Sequence, residues 1–263
     1  MCCRGHPDLC EKGQIAHNTA MPRIHLYSEV TPQLGEFALA EAPSHHLLRV
    51  LRARRGQELT LFTGDGREYA ATLTGVTGKA ALLAVEEVSL RDTASPLAVT
   101  LAVPVLRGER WDWLLQKATE LGAARIQPLH SRYCQVPLAE AQSGKRQKRW
   151  QEILIAAAEQ SQATRLPTLA PALSLTDYLQ QPHAPSCLVF DSAAEEGLNA
   201  MLRPQVTQVE LLTGPEGGLA PEELQAAASR GFLLRRCGPR ILRAETAPIA
   251  ALAILQARWG DLG

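Results

Sequence analysis

Two loops hold most of the residues able to do chemistry. The first is Leu212-Thr213-Gly214-Pro215-Glu216-Gly217-Gly218-Leu219. Its glycines allow a sharp turn and let a ligand approach the main chain closely. It has neither the spacing of a dinucleotide fingerprint nor the Lys-Ser/Thr of a phosphate loop. Pro221, Glu222 and Glu223 open a helix directly behind it, and acids in a first helical turn disfavour a phosphate there. The loop therefore suits a ligand with little phosphate charge, although a plain tight turn reads the same glycines without any ligand. The second loop, Cys237-Gly238-Pro239-Arg240-Ile241-Leu242-Arg243-Ala244-Glu245-Thr246, is longer than a simple connection needs. It places Arg240, Arg243, Glu245 and Thr246 around a helix N-terminus, where Glu245 or Thr246 is a candidate cap.

The elements around these loops follow from hydrophobic pattern. Leu97–Val105 is an almost unbroken apolar run, as in a strand buried on both faces. A helix is expected from about Glu109 to Leu121, with Gly122 as its stop. Strands are expected at Ala124–Leu129, Cys187–Phe190, Val209–Leu212 and Phe232–Arg236, and helices at Lys148–Gln162, Pro221–Arg230 and Glu245–Trp259. Such alternation predicts an α/β fold with a mostly parallel sheet. Both chemical loops then join a strand to a helix.

The first half reads differently. Gln57–Phe62, Glu68–Leu73 and Ala80–Val85 are short strands, the first two paired through Thr63-Gly64-Asp65-Gly66 as a hairpin. They suggest a small barrel over residues 21–92, with Arg91–Pro96 as the boundary to a second domain over 93–263. A short helix is expected over His45–Arg52. Arg49, Arg52, Arg54 and Arg55 fall close together there, as a solvated face or as a phosphate-contacting patch. His25, His45 and His46 are isolated and point to no catalysis.

Composition narrows the classes. The 263 residues carry 27 basic and 27 acidic side chains, so any polyanion contact must be a local patch. No apolar run is long enough to span a membrane. Residues 1–20 have no hydrophobic segment of the secretory kind and read as a mis-assigned start or a disordered leader. Cys2, Cys3, Cys10 and His6 lack the second half of a zinc site, and no metal is expected. Cys134, Cys187 and Cys237 are scattered without paired spacing, which suggests a reducing cytoplasm.

Taken together, the two loops resemble the C-terminal signature of the SPOUT methyltransferases, and more narrowly the bacterial 16S ribosomal RNA uridine-N3 methyltransferase family. Met21-Pro22-Arg23-Ile24 is similar to that family's usual start. Gln116–Gly122 resembles its first SPOUT helix, and Ser131-Arg132 the segment after the next strand. Arg149-Trp150-Gln151, Ala157–Ser161, Arg165 and Pro167 resemble its central helix and exit.

The resemblance implies an N-terminal PUA-like RNA-binding barrel and a parallel sheet with a trefoil knot. It implies a homodimer, S-adenosylmethionine as methyl donor, and 16S rRNA of the 30S subunit as partner. By position, Leu212, Thr213, Gly214, Pro215, Glu216, Gly217 and Gly218 would line the donor pocket on one side. Cys237, Gly238, Ile241, Leu242, Arg243 and Thr246 would line the other. Cys237 departs from the family's usual leucine, and a cysteine is a small hydrophobe that preserves apolar packing. Arg243 and Glu245 are the implied catalytic pair, while Arg23, Arg49, Arg52, Arg54, Arg132, Gln160 and Arg165 would face RNA. A related enzyme with another RNA target and a non-catalytic assembly factor remain as alternatives.

Overall fold

The computed structural model describes residues 24–200 and 206–263. Arg23 and the segment 1–20 lie outside the described residues, as does the zinc reading of that segment. Five strands form the first sheet: β1 (Ile24–Tyr27), β2 (Gly35–Ala38), β3 (Glu58–Phe62), β4 (Arg67–Thr77) and β5 (Ala80–Leu90). Their order is β1-β3-β4-β5-β2, with β1 parallel to β3 and the other pairs antiparallel. The hairpin expected between β3 and β4 is present, with Phe62 opposite Glu68. Register shifts at Ala70/Ala71 and Leu73/Gly75 bend the long β4–β5 ladder. Leu26, Leu47, Leu59, Leu61, Leu73 and Leu83 form a core belonging to this sheet.

The helix expected over His45–Arg52 is displaced. An α-helix, α1, spans Glu41–His45 and runs into a π-helical turn at His46–Val50. Leu47 supplies the buried anchor, and Arg52, in the left-handed region at φ 53°, ends the run. Arg49, Arg52, Arg54 and Arg55 all stay exposed.

The second sheet is parallel throughout. It contains β6 (Ala98–Pro104), β7 (Arg125–His130), β8 (Thr168–Leu169), β10 (Cys187–Phe190), β11 (Gln208–Leu212) and β12 (Leu233–Arg235), in the order β12-β10-β11-β6-β7-β8. A further short strand, β9 (Leu173–Ser174), also pairs with β7. Strand periodicity sorts its side chains onto two faces. Val99, Leu101, Val103, Leu188, Val209 and Leu211 pack beneath α2 (Glu109–Glu120), α4 (Gly144–Ser161) and α7 (Thr246–Trp259). Ala102, Val189 and Leu212 pack on the other face with α5 (Leu175–Leu179) and α6 (Pro221–Ser229). Trp111 and Trp150, with ring centroids 5.3 Å apart, join α2 to α4. A four-residue helix, α3 (Leu138–Ala141), precedes α4.

The short elements β2, β8, β9, α3 and α5 carry too few residues for a periodic signal, so hydrophobic pattern does not reveal them. One polar cluster sits on the α5 face. Glu210 of β11 accepts from the Tyr178 hydroxyl at 2.6 Å and from the Ala184 amide at 2.8 Å, and pairs with His183 Nδ1 at 2.8 Å. Burial and the Glu210 charge push the Tyr178 hydroxyl well above the ordinary tyrosine range.

The two sheets are tied together both between β1 and α4 and at the Arg91–Pro96 connection. The Tyr27 amide donates to Glu159 Oε1 of α4 at 3.0 Å, and the Thr164 hydroxyl donates to the Arg91 carbonyl at 2.6 Å. Burial raises the Glu159 carboxyl above its usual range, against the opposing effect of the Tyr27 amide.

Candidate active site

The carboxyl ends of β10, β11 and β12 converge on a cavity of about 790 Å³. The chain steps from β10 to β11 in one direction across the sheet and from β11 back past β10 to β12, so the order reverses at β11, and in open parallel sheets ligands bind outside the strand ends at such a reversal. Three segments line the cavity: Phe190–Ser192 after β10, Thr213–Leu219 after β11, and Cys237–Ala247 after β12, with Arg110 reaching in from α2. Two loops separated in sequence by α6 and β12 thus become the facing walls of one site.

The glycine loop has the tightness its composition suggests. A Cβ on Gly214 would stand 2.9 Å from the Gly218 carbonyl carbon and the Leu219 nitrogen, so no side chain fits there. A Cβ on Gly217 would approach Tyr133 Cβ at 3.0 Å. The acids behind the loop are engaged: Glu223 accepts from the Ala220 amide at 2.9 Å and the Arg132 amide at 2.8 Å, and Glu222 pairs with the Arg132 guanidinium.

The structure brings Thr213, Gly214, Pro215, Glu216, Gly217, Gly218, Cys237, Gly238, Ile241, Leu242, Arg243 and Glu245 onto the cavity. Leu212 is different: the strand's alternation turns it into the core beside Val189 and Ala227, fully buried. Thr246 lines a smaller adjoining cavity instead. The capping expected of Glu245 or Thr246 is absent, since no side-chain hydrogen bond closes the start of α7. The Thr246 amide donates to the Arg243 carbonyl at 2.9 Å, so the chain itself completes that turn. Among the described residues, Glu245 Oε2 is buried with no hydrogen-bond partner. Burial pushes the Cys237 thiol up, consistent with a neutral apolar role.

Among the residues expected at RNA, Gln160 is exposed on α4. Arg165 is engaged with Asp92, and Arg132 with Glu222. Arg240 and Arg243 are exposed at the cavity mouth without an acidic partner among the described residues. The sequence reading missed Arg110, Phe190, Asp191 and Ser192. The last three follow a strand in the same position as Thr213-Gly214, so the strand-end rule alone would have pointed to them. Arg110, held 2.8 Å from Glu216, comes from a helix and carries no such signal.

The cavity suits S-adenosylmethionine in two respects. Thr213 is buried with its hydroxyl lacking a partner, ready for a polar ligand group. Phe190, Leu219, Leu242 and Ala244 offer apolar wall for an adenine.

A parallel α/β sheet with this cavity at its switch point defines an enzyme class that holds a small cofactor against an exposed cationic rim. The comparisons with known proteins identify the class. Residues 93–256 match an RNA methyltransferase domain, and residues 39–86 match an RNA methyltransferase PUA domain. The ribosomal RNA small subunit methyltransferase E of Synechocystis is 36% identical, over 83% of this chain and 72% of its own length. Among solved structures, a Legionella pneumophila methyltransferase in complex with S-adenosylmethionine is 34% identical with a TM-score of 0.87, covering 91% of this chain and 99% of that one. A ribosomal RNA small subunit methyltransferase E of Neisseria gonorrhoeae, bound to the same cofactor, is 35% identical with a TM-score of 0.83, covering 92% and 100%. The chain is an S-adenosylmethionine-dependent RNA methyltransferase. It belongs to the ribosomal RNA small subunit methyltransferase E family.

Proposed function

We propose that this enzyme methylates N3 of a uridine in 16S rRNA of the small ribosomal subunit. The observation that carries the reading is the presence on one cavity, from the same loop, of the exposed Arg243 and of a Glu245 carboxylate whose buried Oε2 has no hydrogen-bond partner among the described residues. When bound, S-adenosylmethionine supplies an activated methyl group on a sulfonium. Thr213, Gly214, Pro215, Glu216, Gly217 and Gly218 hold it from one wall, and Cys237, Gly238, Ile241 and Leu242 from the other. Leu212 supports the loop from the core, and Thr246 closes the far edge. Positioning then supplies much of the catalysis. Glu245 accepts the N3 proton, and Arg243 stabilises the negative charge that develops on the uracil oxygens.

Residues 21–92 form a PUA-like RNA-binding barrel in this reading, supported by the bulged β4–β5 ladder, and 93–263 form the SPOUT domain. The chain after β12 threads the β11 loop as a trefoil knot, an exception to unknotted connection. The enzyme works as a homodimer, for which the exposed apolar Ile254 on α7 is the supporting feature. Arg23, Arg49, Arg52, Arg54 and Gln160 contact RNA directly. Arg132 and Arg165 do so by exchanging the carboxylates they hold.

The test is transfer of labelled methyl to unmodified 30S subunits, followed by mass-spectrometric mapping. A 3-methyluridine in 16S rRNA is the expected product. Transfer confined to tRNA or 23S rRNA overturns the target, and modification of another uridine atom overturns the N3 chemistry.

A further inference from the structure

A second cavity, of about 310 Å³, opens beside the first and is lined by Glu109, Arg110, Trp113, Glu245 and Thr246. Arg110 and Glu245 line both. The larger volume suits a cofactor, and the smaller lies near the lower limit for ligand sites, where a single base fits. Trp113 is 40% exposed, whereas Trp111 and Trp150 are 2% exposed. An indole left open forgoes burial that its neighbours achieve.

Resting on the function proposed above, we infer that this smaller cavity is the base subsite, with Trp113 the stacking platform and Glu245 the group that selects uracil. The Watson–Crick edge of uracil runs acceptor, N–H donor, acceptor. The cavity provides donors in the Thr246 hydroxyl and in the Arg110 guanidinium, which keeps free N–H groups beside the one that holds Glu216, and acceptors in the Glu245 and Glu109 carboxylates. Oε2 of the Glu245 carboxylate is buried and, among the described residues, has no hydrogen bond, a costly state that an incoming N–H relieves. Cytosine presents an unprotonated ring nitrogen at the same place, which a carboxylate repels. Selection therefore rests on a mismatched pair of acceptors, a stronger discriminator than pocket size. With the base seated, its N3–H proton passes to Glu245. The N3 lone pair forms the bond to the methyl carbon, and the electrons of the broken C–S bond remain on sulfur, leaving a neutral thioether.

The experiment compares wild type with Trp113→Ala and Trp113→Phe on three readouts: methyl transfer to unmodified 30S subunits, S-adenosylmethionine affinity by calorimetry, and particle mass by light scattering. Base–aromatic stacking predicts that Trp113→Ala lowers kcat/KM by about 5- to 150-fold and leaves cofactor affinity within about twofold, with Trp113→Phe recovering most of the loss. Titration of uridine monophosphate is expected to quench indole fluorescence in wild type and not in Trp113→Phe. Unchanged kcat/KM in Trp113→Ala, with wild type active, overturns the subsite and leaves the proposed function standing. A halved particle mass in Trp113→Ala also overturns it, by showing that the indole covers a second copy of this chain. Absence of transfer by wild type removes the function and this inference together.

Discussion

Arg165 grips Asp92 with both arms of its guanidinium, Nε 2.9 Å from Oδ1 and Nη2 2.5 Å from Oδ2. Asp92 belongs to the connection between the sheets, and Arg165 follows α4, so the pair fastens the small sheet to the large one. Next to it, Thr164 donates to the Arg91 carbonyl and receives the Thr93 amide. An arginine expected to face RNA is thus part of the junction that orients one sheet toward the other.

The Arg165 guanidinium and the Ala94 amide hold the Asp92 carboxyl down at about 2. A carboxyl depressed on folding contributes stability above its unfolded value, and that contribution is lost as pH falls through the folded value. Asp92→Asn is therefore expected to lower the melting temperature at neutral pH, and the gap from wild type is expected to close between about pH 4 and about pH 2. Thermal melts across that range check it. The pair is solvent-exposed, so the effect is small, and Arg165→Ala should add little to Asp92→Asn. A gap that persists unchanged at pH 2.5 removes the ion pair as its cause.

Arg243→Ala is expected to reduce kcat by about 10²- to 10³-fold, the loss seen when one charge-stabilising donor is removed. Cofactor affinity should hardly change, because Arg243 is exposed at the cavity mouth. Single-turnover transfer and calorimetry separate the two. Full turnover in the variant eliminates Arg243 from the chemistry.

Gly214→Ala drives a methyl group to 2.9 Å from the backbone of Gly218 and Leu219. Backbone cannot step aside as a flexible side chain can, and the loop must reshape. The expected weakening of S-adenosylmethionine binding is about 5- to 150-fold, equivalent to about 1–3 kcal/mol of overpacking. Calorimetry measures it, while an unaltered circular dichroism spectrum shows that the fold survives. Wild-type affinity would mean that the cofactor does not use this turn.

Arg52→Ala combined with Arg54→Ala removes two exposed cations from the small sheet's surface. Two lost phosphate contacts should reduce the slope of log affinity against log salt by roughly 1–2. Filter binding of 16S rRNA over a salt series reads this directly. A slope equal to that of wild type identifies the cluster as a solvated face.

Long periodic segments were legible before any coordinates. The nearly unbroken apolar run of β6, with the apolar runs of β10 and the end of β11, points to a parallel sheet, because strands covered on both faces carry apolar residues at adjacent positions. The helix α4 begins at Gly144, earlier than its apolar stripe suggested, because its first turn is polar and solvated. The helix near His45 was misplaced for a related reason: one buried leucine, Leu47, anchors the whole stretch, and one anchor defines no phase.

Residue types at the two strand-to-helix loops determine by themselves a tight glycine turn in one and an arginine and a carboxylate close together in the other. That information is local, carried by backbone freedom and side-chain chemistry. Tertiary structure alone decided that Leu212 turns into the core, that Arg110 enters the site from α2, that Arg165 is held by Asp92, and that Glu245 Oε2 is buried without a hydrogen bond among the described residues. Each of these depends on what stands across a gap between segments distant in sequence. Only the packing of the sheets and helices sets which groups meet there, and no spacing along the chain encodes it.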